Sequence, residues 1–277
     1  MKKIVLTGAA GALGRVLRKP LAQMADALVS TDLADAPDAL NDGETWVRAD
    51  LGRMDEIGPV MDGAEMVVHF GGIADESTWG DILHSNIIGT YNVYEAAFQA
   101  GARRVVYASS IHAMGMYPKT EFVPLDAPHR PDTYYGLSKC FAEDLARLYW
   151  EKRQMESVCL RILSASGTPQ NARALGSFLS NDDLVQLVTR SIDSPVTGFT
   201  LVWGVSNNDR APVDNRQAAY LGYRPTFNAE DVAADILART PAIDPTDPQH
   251  ACQGGPFAIV PLGESGVAMI RKMSEGK

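Results

Sequence analysis

The run KIVLTGAAGALG at residues 3–14 limits the fold more than any other stretch of the chain. Lys3–Thr7 reads as a short buried strand that ends in a glycine-rich turn. A helical pattern over Ala12–Met24 begins at once. A strand that enters a helix through Gly8, Gly11 and Gly14 is the first half of a βαβ unit that binds a dinucleotide. Glycines there permit the tight turn, let the backbone approach a pyrophosphate and let the helix pack on the strand. The helix N-terminus, at Ala12 and Leu13, then offers free N–H groups and a partial positive charge to the phosphates.

The alternation continues. Further strands are expected at residues 28–32, 45–49, 65–70, 104–109 and 157–162, with long helices at 82–100 and 134–154. Right-handed crossovers stack such units into a parallel sheet covered on both faces, a Rossmann-like doubly wound α/β fold. After Ile162 the pattern loosens into a stretch rich in Ser, Asn, Pro and Gly, broken by a strand candidate at 199–203. A late helix near 228–238 precedes a tail dense in Pro, Gly and Asp. The expected organisation is a dinucleotide-binding core over residues 1–165 and a small substrate-binding cap over 166–277, packed as one unit. A chain of 277 residues can bury a large core without staples.

Charge and composition exclude several functions. A net charge of −9 speaks against a nucleic-acid backbone and an anionic membrane surface, both of which need clustered cations. The three cysteines, Cys140, Cys159 and Cys252, have neither disulfide-framework nor zinc spacing. The five histidines show no metal-binding grouping, so no metal is expected. No signal-like segment precedes the first strand and no run of 18 apolar residues occurs, so a cytoplasmic protein is expected.

Chemistry-bearing residues fall at the strand ends. Asp32 closes the second strand, where a carboxylate accepts hydrogen bonds from the adenosine ribose and repels a 2′-phosphate; NAD is favoured over NADP. Asp50 and Leu51 follow the third strand and are expected against the adenine, although an Asp there also suits a helix N-cap. Gly71 and Gly72 follow the fourth strand and let backbone approach the cofactor. Leu33, Phe70 and Ile162, beside these strand ends, complete the expected cofactor wall.

Tyr135 and Lys139 form the strongest signal. Spaced i, i+4, their side chains share one helix face. Lowering a phenol from about 10 to the neutral range takes about 4 kcal/mol of differential stabilisation. A nearby ammonium and an oxidised nicotinamide are two cations that can supply it. Ser109 and Ser110 end the fifth strand, where a hydroxyl can hold a substrate oxygen against the tyrosine.

Glycine loop, Gly-Gly turn, NIIGTYN, YASS and the Tyr/Lys pair occur in the order of the short-chain dehydrogenase/reductase superfamily, extended branch, which the whole chain resembles. The resemblance implies a catalytic set of Ser110, Tyr135 and Lys139. It makes Ser109 the neighbour nearer the cofactor and has Asn86 position Lys139. Within that branch, HFGGIADES, NIIGTYNVYEAA, YGLSKCFAEDLARLYW, FLSNDDLVQL and LVWGVSNND resemble the bacterial uronate dehydrogenase family. That likeness implies NAD-dependent oxidation of C1 of glucuronate or galacturonate to an aldarolactone. It also implies a sugar pocket of Ser110, His112, Tyr135, Ser164 and Arg173, with Arg173 on the carboxylate.

Two positions depart from that family: Ile111 replaces an Asn and Ala74 a Ser, both expected beside the sugar. The departures admit another aldose, such as a C6-sulfonated sugar, as substrate. The rivals are an epimerase or dehydratase of a nucleotide sugar, and a dinucleotide-sensing regulator, against which the Tyr/Lys pair speaks. A homo-oligomer acting on a small sugar acid is the expected assembly.

Overall fold

The computed structural model describes residues 3–165, 167–240 and 244–275. Strand β1 (Lys3–Thr7) leads into helix α1 (Ala12–Met24), then β2 (Ala27–Asp32) and β3 (Glu44–Arg48). Helix α2 (Met54–Met61) precedes β4 (Met66–His69). Helix α3 (Trp79–Ile82) runs through a π-helical turn (Leu83–Ile88) into α4 (Gly89–Gln99), followed by β5 (Arg104–Ser110). Helix α5 (Tyr134–Arg153) and β6 (Glu156–Ile162) come next. Short α6 (Ala174–Ser177), α7 (Asn181–Asp193) and β7 (Phe199–Gly204) complete the sheet layer. Helices α8 (Ala233–Ala238), α9 (Pro248–Ala251) and α10 (Gly266–Glu275) lie in the C-terminal part.

All seven strands form one parallel sheet in the order β3-β2-β1-β4-β5-β6-β7. Side-chain alternation divides its two faces. Ile4, Leu6, Met66 and Val68 meet Leu17 and Leu21 of α1 and Leu184, Leu187, Val188 and Ile192 of α7. Val5, Val67, Val105 and Cys159 meet Ile57, Val60, Val93, Ala97, Ala142, Leu145 and Tyr149 of α2, α4 and α5. Each such fully buried aliphatic side chain is worth about 1.5–3 kcal/mol over its exposed state. The order reverses between β1 and β4, and there the crevice at the strand C-terminal ends opens.

The doubly wound reading holds, with differences that have local causes. Helix α2 does not stand out in the sequence because Gly58 and Pro59 interrupt it. Helix α7 lies inside the polar stretch past Ile162, yet Ser180 caps it and its apolar face packs against α1 and β5. The sheet therefore extends past the division expected at residue 165. The helix expected over 82–100 starts at Thr78, whose hydroxyl caps it, and carries the π-helical turn. No helix among the described residues is long and apolar enough to cross a membrane.

Candidate active site

The crevice is a cleft of about 680 Å³. Its wall holds every residue expected to bind the cofactor, from Gly8 to Ile162, together with Ala74, Ser110, His112 and Ser164. Three expected site residues, Asn86, Ile111 and Arg173, lie off that wall.

The phosphate end is built from backbone. Gly8 has φ +71°, and a Cβ there would lie 2.6 Å from the Phe70 carbonyl. A Cβ on Gly14 would lie 2.0 Å from the Gly8 carbonyl oxygen. Helix α1 begins at Gly11 with no side-chain cap and no acidic residue in its first turn, so its N–H groups stay available for an anion. Gly14→Ala must therefore push the loop apart; loss of measurable NAD binding by fluorescence titration is the expected outcome, with the sheet still folded by circular dichroism.

Asp32 lies at the end of β2. Its carboxylate accepts from Ala10 N at 2.9 Å and from Ala34 N at 3.2 Å, which anchors it beside the glycine loop with lone pairs to spare. Asp50 is differently occupied. One oxygen accepts from Gly52 N at 2.8 Å and the other meets His84 Nε2 at 2.9 Å. Burial opposes ionisation of Asp50, but these bonds outweigh it and hold the carboxyl below its ordinary range. The adenine-facing role expected for Asp50 thus competes with a bond to the π-helical turn.

Asn86 belongs to that turn. Its Oδ1 accepts from Ile73 N at 2.8 Å, and its Nδ2 donates to Ile73 O at 2.9 Å and to Ser138 Oγ at 3.2 Å. Its side chain pins the Gly72–Ile73 loop to α5, which leaves the expected route to Lys139, through water or backbone, to its main chain. Ser85, the residue before it, faces the cleft, which sequence spacing did not reveal.

Tyr135 and Lys139 stand on the first turns of α5, which Thr133 caps through a 3.0 Å bond from Gly136 N. Both are buried, and Lys139 Nζ lies 5.2 Å from the Tyr135 ring centre. Lys139 Nζ donates to Ala108 O at 2.8 Å. Burial lowers Lys139 to about 8, against the pull of the Glu143 charge. Burial raises Tyr135 to about 12, the charges of Asp132 and Asp75 add to it, and a hydrogen bond with Ser110 opposes it. The phenol of the free chain is therefore raised by desolvation; the lowering expected from the sequence called for the nicotinamide cation as well as the ammonium.

The two serines diverge because β5 alternates. Ser110 keeps its hydroxyl beside Tyr135 and accepts from His112 N at 3.2 Å. Ser109 Oγ instead donates to the buried Glu143 carboxylate, while the residue still lines the cleft. Ile111, in the 3₁₀ turn after β5, is 1% exposed among Met114, Leu163 and Trp203. Its replacement of a polar residue removes nothing from the pocket wall.

The far end of the cleft is closed by the expected His112 and Ser164 together with residues the sequence did not single out, Asp132, Ser177 and Phe257 among them. His112 Nδ1 meets Asp132 Oδ2 at 2.7 Å, and its ring stacks on Phe257 at 4.2 Å. Ser164 Oγ bonds Ser177 Oγ at 2.7 Å. The segment carrying Phe257 is tied at one end by Gln253 N to Tyr117 O, 2.8 Å, and by Gly254 N to Gly115 O, 2.9 Å. At the other end Glu76 accepts from Gly263 N at 2.8 Å and Asp75 caps α10 through Gly266 N at 3.0 Å. Glu76 also accepts from Tyr135 N at 2.9 Å, joining this strap to the Tyr135 helix. Arg173 stands behind the strap. It donates to Gln253 O at 3.1 Å and has no carboxylate in ion-pair contact among the described residues. Burial lowers its pKa, with Asp132 opposing.

The geometry brings the glycine loop, the Asp32 carboxylate and a Ser/Tyr/Lys set into one cleft, an arrangement suited to moving a proton from a hydroxyl beside a dinucleotide. Comparison with known proteins agrees. Residues 4–187 match the NAD dependent epimerase/dehydratase family. Uronate dehydrogenase of Agrobacterium fabrum is 43% identical over 262 residues, 95% of this chain and 98% of that protein. Uronate dehydrogenase of Pseudomonas putida is 42% identical over 258 residues, 93% of this chain and 96% of that protein. The crystal structure of a mutant uronate dehydrogenase from Agrobacterium tumefaciens, complexed with NAD, superposes with a TM-score of 0.90 at 43% identity, covering 94% of this chain and 98% of the other.

Proposed function

Since the chain belongs to the NAD dependent epimerase/dehydratase family, we propose that it oxidises the C1 hydroxyl of a uronate pyranose, such as glucuronate or galacturonate, to the aldarolactone with NAD. The observation that carries this reading is the meeting of Tyr135, Ser110 and Lys139 on the wall that also holds the glycine loop and Asp32.

The cleft fits NAD on its own terms: glycines leave no room for side chains, α1 has an uncapped N-terminus, and Asp32 offers free lone pairs. When bound, NAD supplies the hydride acceptor. The protein does the rest. Ser110 holds the C1 oxygen, Tyr135 Oη takes its proton, and Lys139 lends positive charge to the resulting site while anchored on Ala108 O. Asn86 keeps the Ile73 loop against α5, which holds this geometry steady.

Asp32→Ala should weaken NAD by about 10- to 100-fold, the size of lost charge-assisted hydrogen bonds, and narrow the preference over NADP. Steady-state KM for both cofactors checks it. Arg173, a buried cation with no carboxylate partner among the described residues, is the group assigned to the substrate carboxylate. Arg173→Gln is then expected to raise KM for a uronate by about 10- to 100-fold and leave a neutral aldose unaffected.

A panel of uronates, neutral aldoses and C6-sulfonated sugars, followed by NADH absorbance, tests the reading. Oxidation of uronates alone supports it, and a preference for the sulfonate or a neutral aldose replaces the substrate. Turnover of a nucleotide sugar without net NADH points to an epimerase instead. The same reading places the enzyme in the cytoplasm with its NAD supply. It also takes the exposed face bearing Tyr91, Phe98 and Leu148 of α4 and α5 as a contact in a homo-oligomer, testable by light scattering.

A further inference from the structure

Asp132 touches neither substrate nor cofactor in the mechanism above, yet the fold makes unusual room for it. Its side chain is wholly buried. A Cβ on either Gly115 or Gly254 would lie 1.9 Å from its Oδ2, and one on Gly136 would lie 3.1 Å from its Oδ1. Three chain segments thus come together around one carboxylate. Its two oxygens are directed: Oδ1 accepts from Thr133 Oγ1 at 2.8 Å and Oδ2 meets His112 Nδ1 at 2.7 Å.

His112 is held on its remaining sides as well. Its ring stacks on Phe257 at 4.2 Å and meets the Tyr135 ring edge-on at 5.6 Å. Its own N–H donates to Ser110 Oγ. The second ring nitrogen, Nε2, has no protein partner among the described residues, and the residue lines the cleft.

We propose that Asp132 is a positioning residue for substrate recognition: it keeps the His112 proton on Nδ1 and so presents the Nε2 lone pair to the cleft as an acceptor for one sugar hydroxyl. A carboxylate only accepts, so the ring nitrogen facing it carries the hydrogen, and in neutral imidazole the other nitrogen is then an acceptor. Packing on Phe257 and Tyr135 prevents the ring from flipping. The inference rests on the reading that the cleft takes a sugar, and it adds a choice among sugars: a substrate must offer a hydroxyl donor at that point.

Two measurements test it. Nitrogen-15 NMR of the histidine rings in the intact protein reads the tautomer without any substrate, so it stands apart from the uronate assignment. The Nδ1–H form is expected for His112, and a proton on Nε2 overturns the proposal. Kinetics of Asp132→Asn, His112→Gln and the double variant follow, using whichever aldose the panel shows to be oxidised. Asp132→Asn should raise KM about tenfold with NAD affinity little changed and kcat moved only as far as the Tyr135 pH limb moves, and should add nothing to KM in the His112→Gln background. A deoxy analogue lacking the recognised hydroxyl should be handled alike by Asp132→Asn and the parent. Additive effects of the two substitutions, or equal loss of NAD affinity, would mark Asp132 as a brace of the fold and overturn its role through His112.

Discussion

Replacing Tyr135 with phenylalanine should lower turnover by about two to four orders of magnitude while NAD still binds. The substitution removes one hydroxyl and leaves the ring packed with Ile82 and Phe257 and beside His112 and Lys139. Ser110 then holds a substrate oxygen with no base opposite it. Titration with NAD, followed by single-turnover measurement of NADH, separates binding from chemistry; retained turnover would remove Tyr135 from the mechanism. The acid–base sign follows from the environment. Burial, Asp132 and Asp75 keep the free phenol at about 12, so the base form grows with pH and the rate should climb on the alkaline side.

Arg161→Met should destabilise the protein by about 3–5 kcal/mol, because it leaves a buried carboxylate without its counter-charge. Arg161 donates to Glu143 through Nε at 2.9 Å and Nη2 at 2.7 Å, and its Nη1 donates to Leu125 O at 2.9 Å. Both charged side chains are 1% exposed. Glu143 also receives Ser109 and faces His129 Nε2 at 2.9 Å. A loss of that size lowers the melting temperature by roughly 10 °C in a chain of this length. The pair also sets acid resistance. Burial alone would raise the Glu143 carboxyl, yet the bonds from His129 and Arg161 bring it down from 4.5 to about 2. A carboxyl lowered by folding stabilises fully above its unfolded value of 4.5 and loses that contribution as pH falls toward 2. Thermal melts between neutral and acid pH should show this window in the parent and its loss in the variant. Glu143→Gln together with Arg161→Met should cost less than the sum of the two.

What could be read from the sequence was whatever chemistry needs at short range. The glycine loop, Asp32 and the i, i+4 pair of Tyr135 and Lys139 each depend on one strand end or one helical turn, and each stands where spacing put it. What the sequence left open is settled by tertiary burial. Ser109 and Ser110 are neighbours, but the pleat sends one to Glu143 and the other to the cleft. Ile111 turns inward because a 3₁₀ turn follows β5 directly. Asn86 bonds Ile73 and Ser138 because a π-helical turn rotates its face. Phe257 meets His112 from a tail that has no periodicity to betray it, since its shape is imposed by Glu76 and Asp75 from the loop after β4.

That strap has a consequence for how the enzyme comes into being during synthesis. The seven strands and their covering helices lie before residue 205, and their pairing needs nothing from the strap. Phe257, Gly263 and Gly266 emerge from the ribosome later and dock on a surface already formed. A growing chain can therefore hold its sheet, and its cradle for a dinucleotide, before it can enclose a sugar. Competence for the reaction arrives only once this later segment has docked.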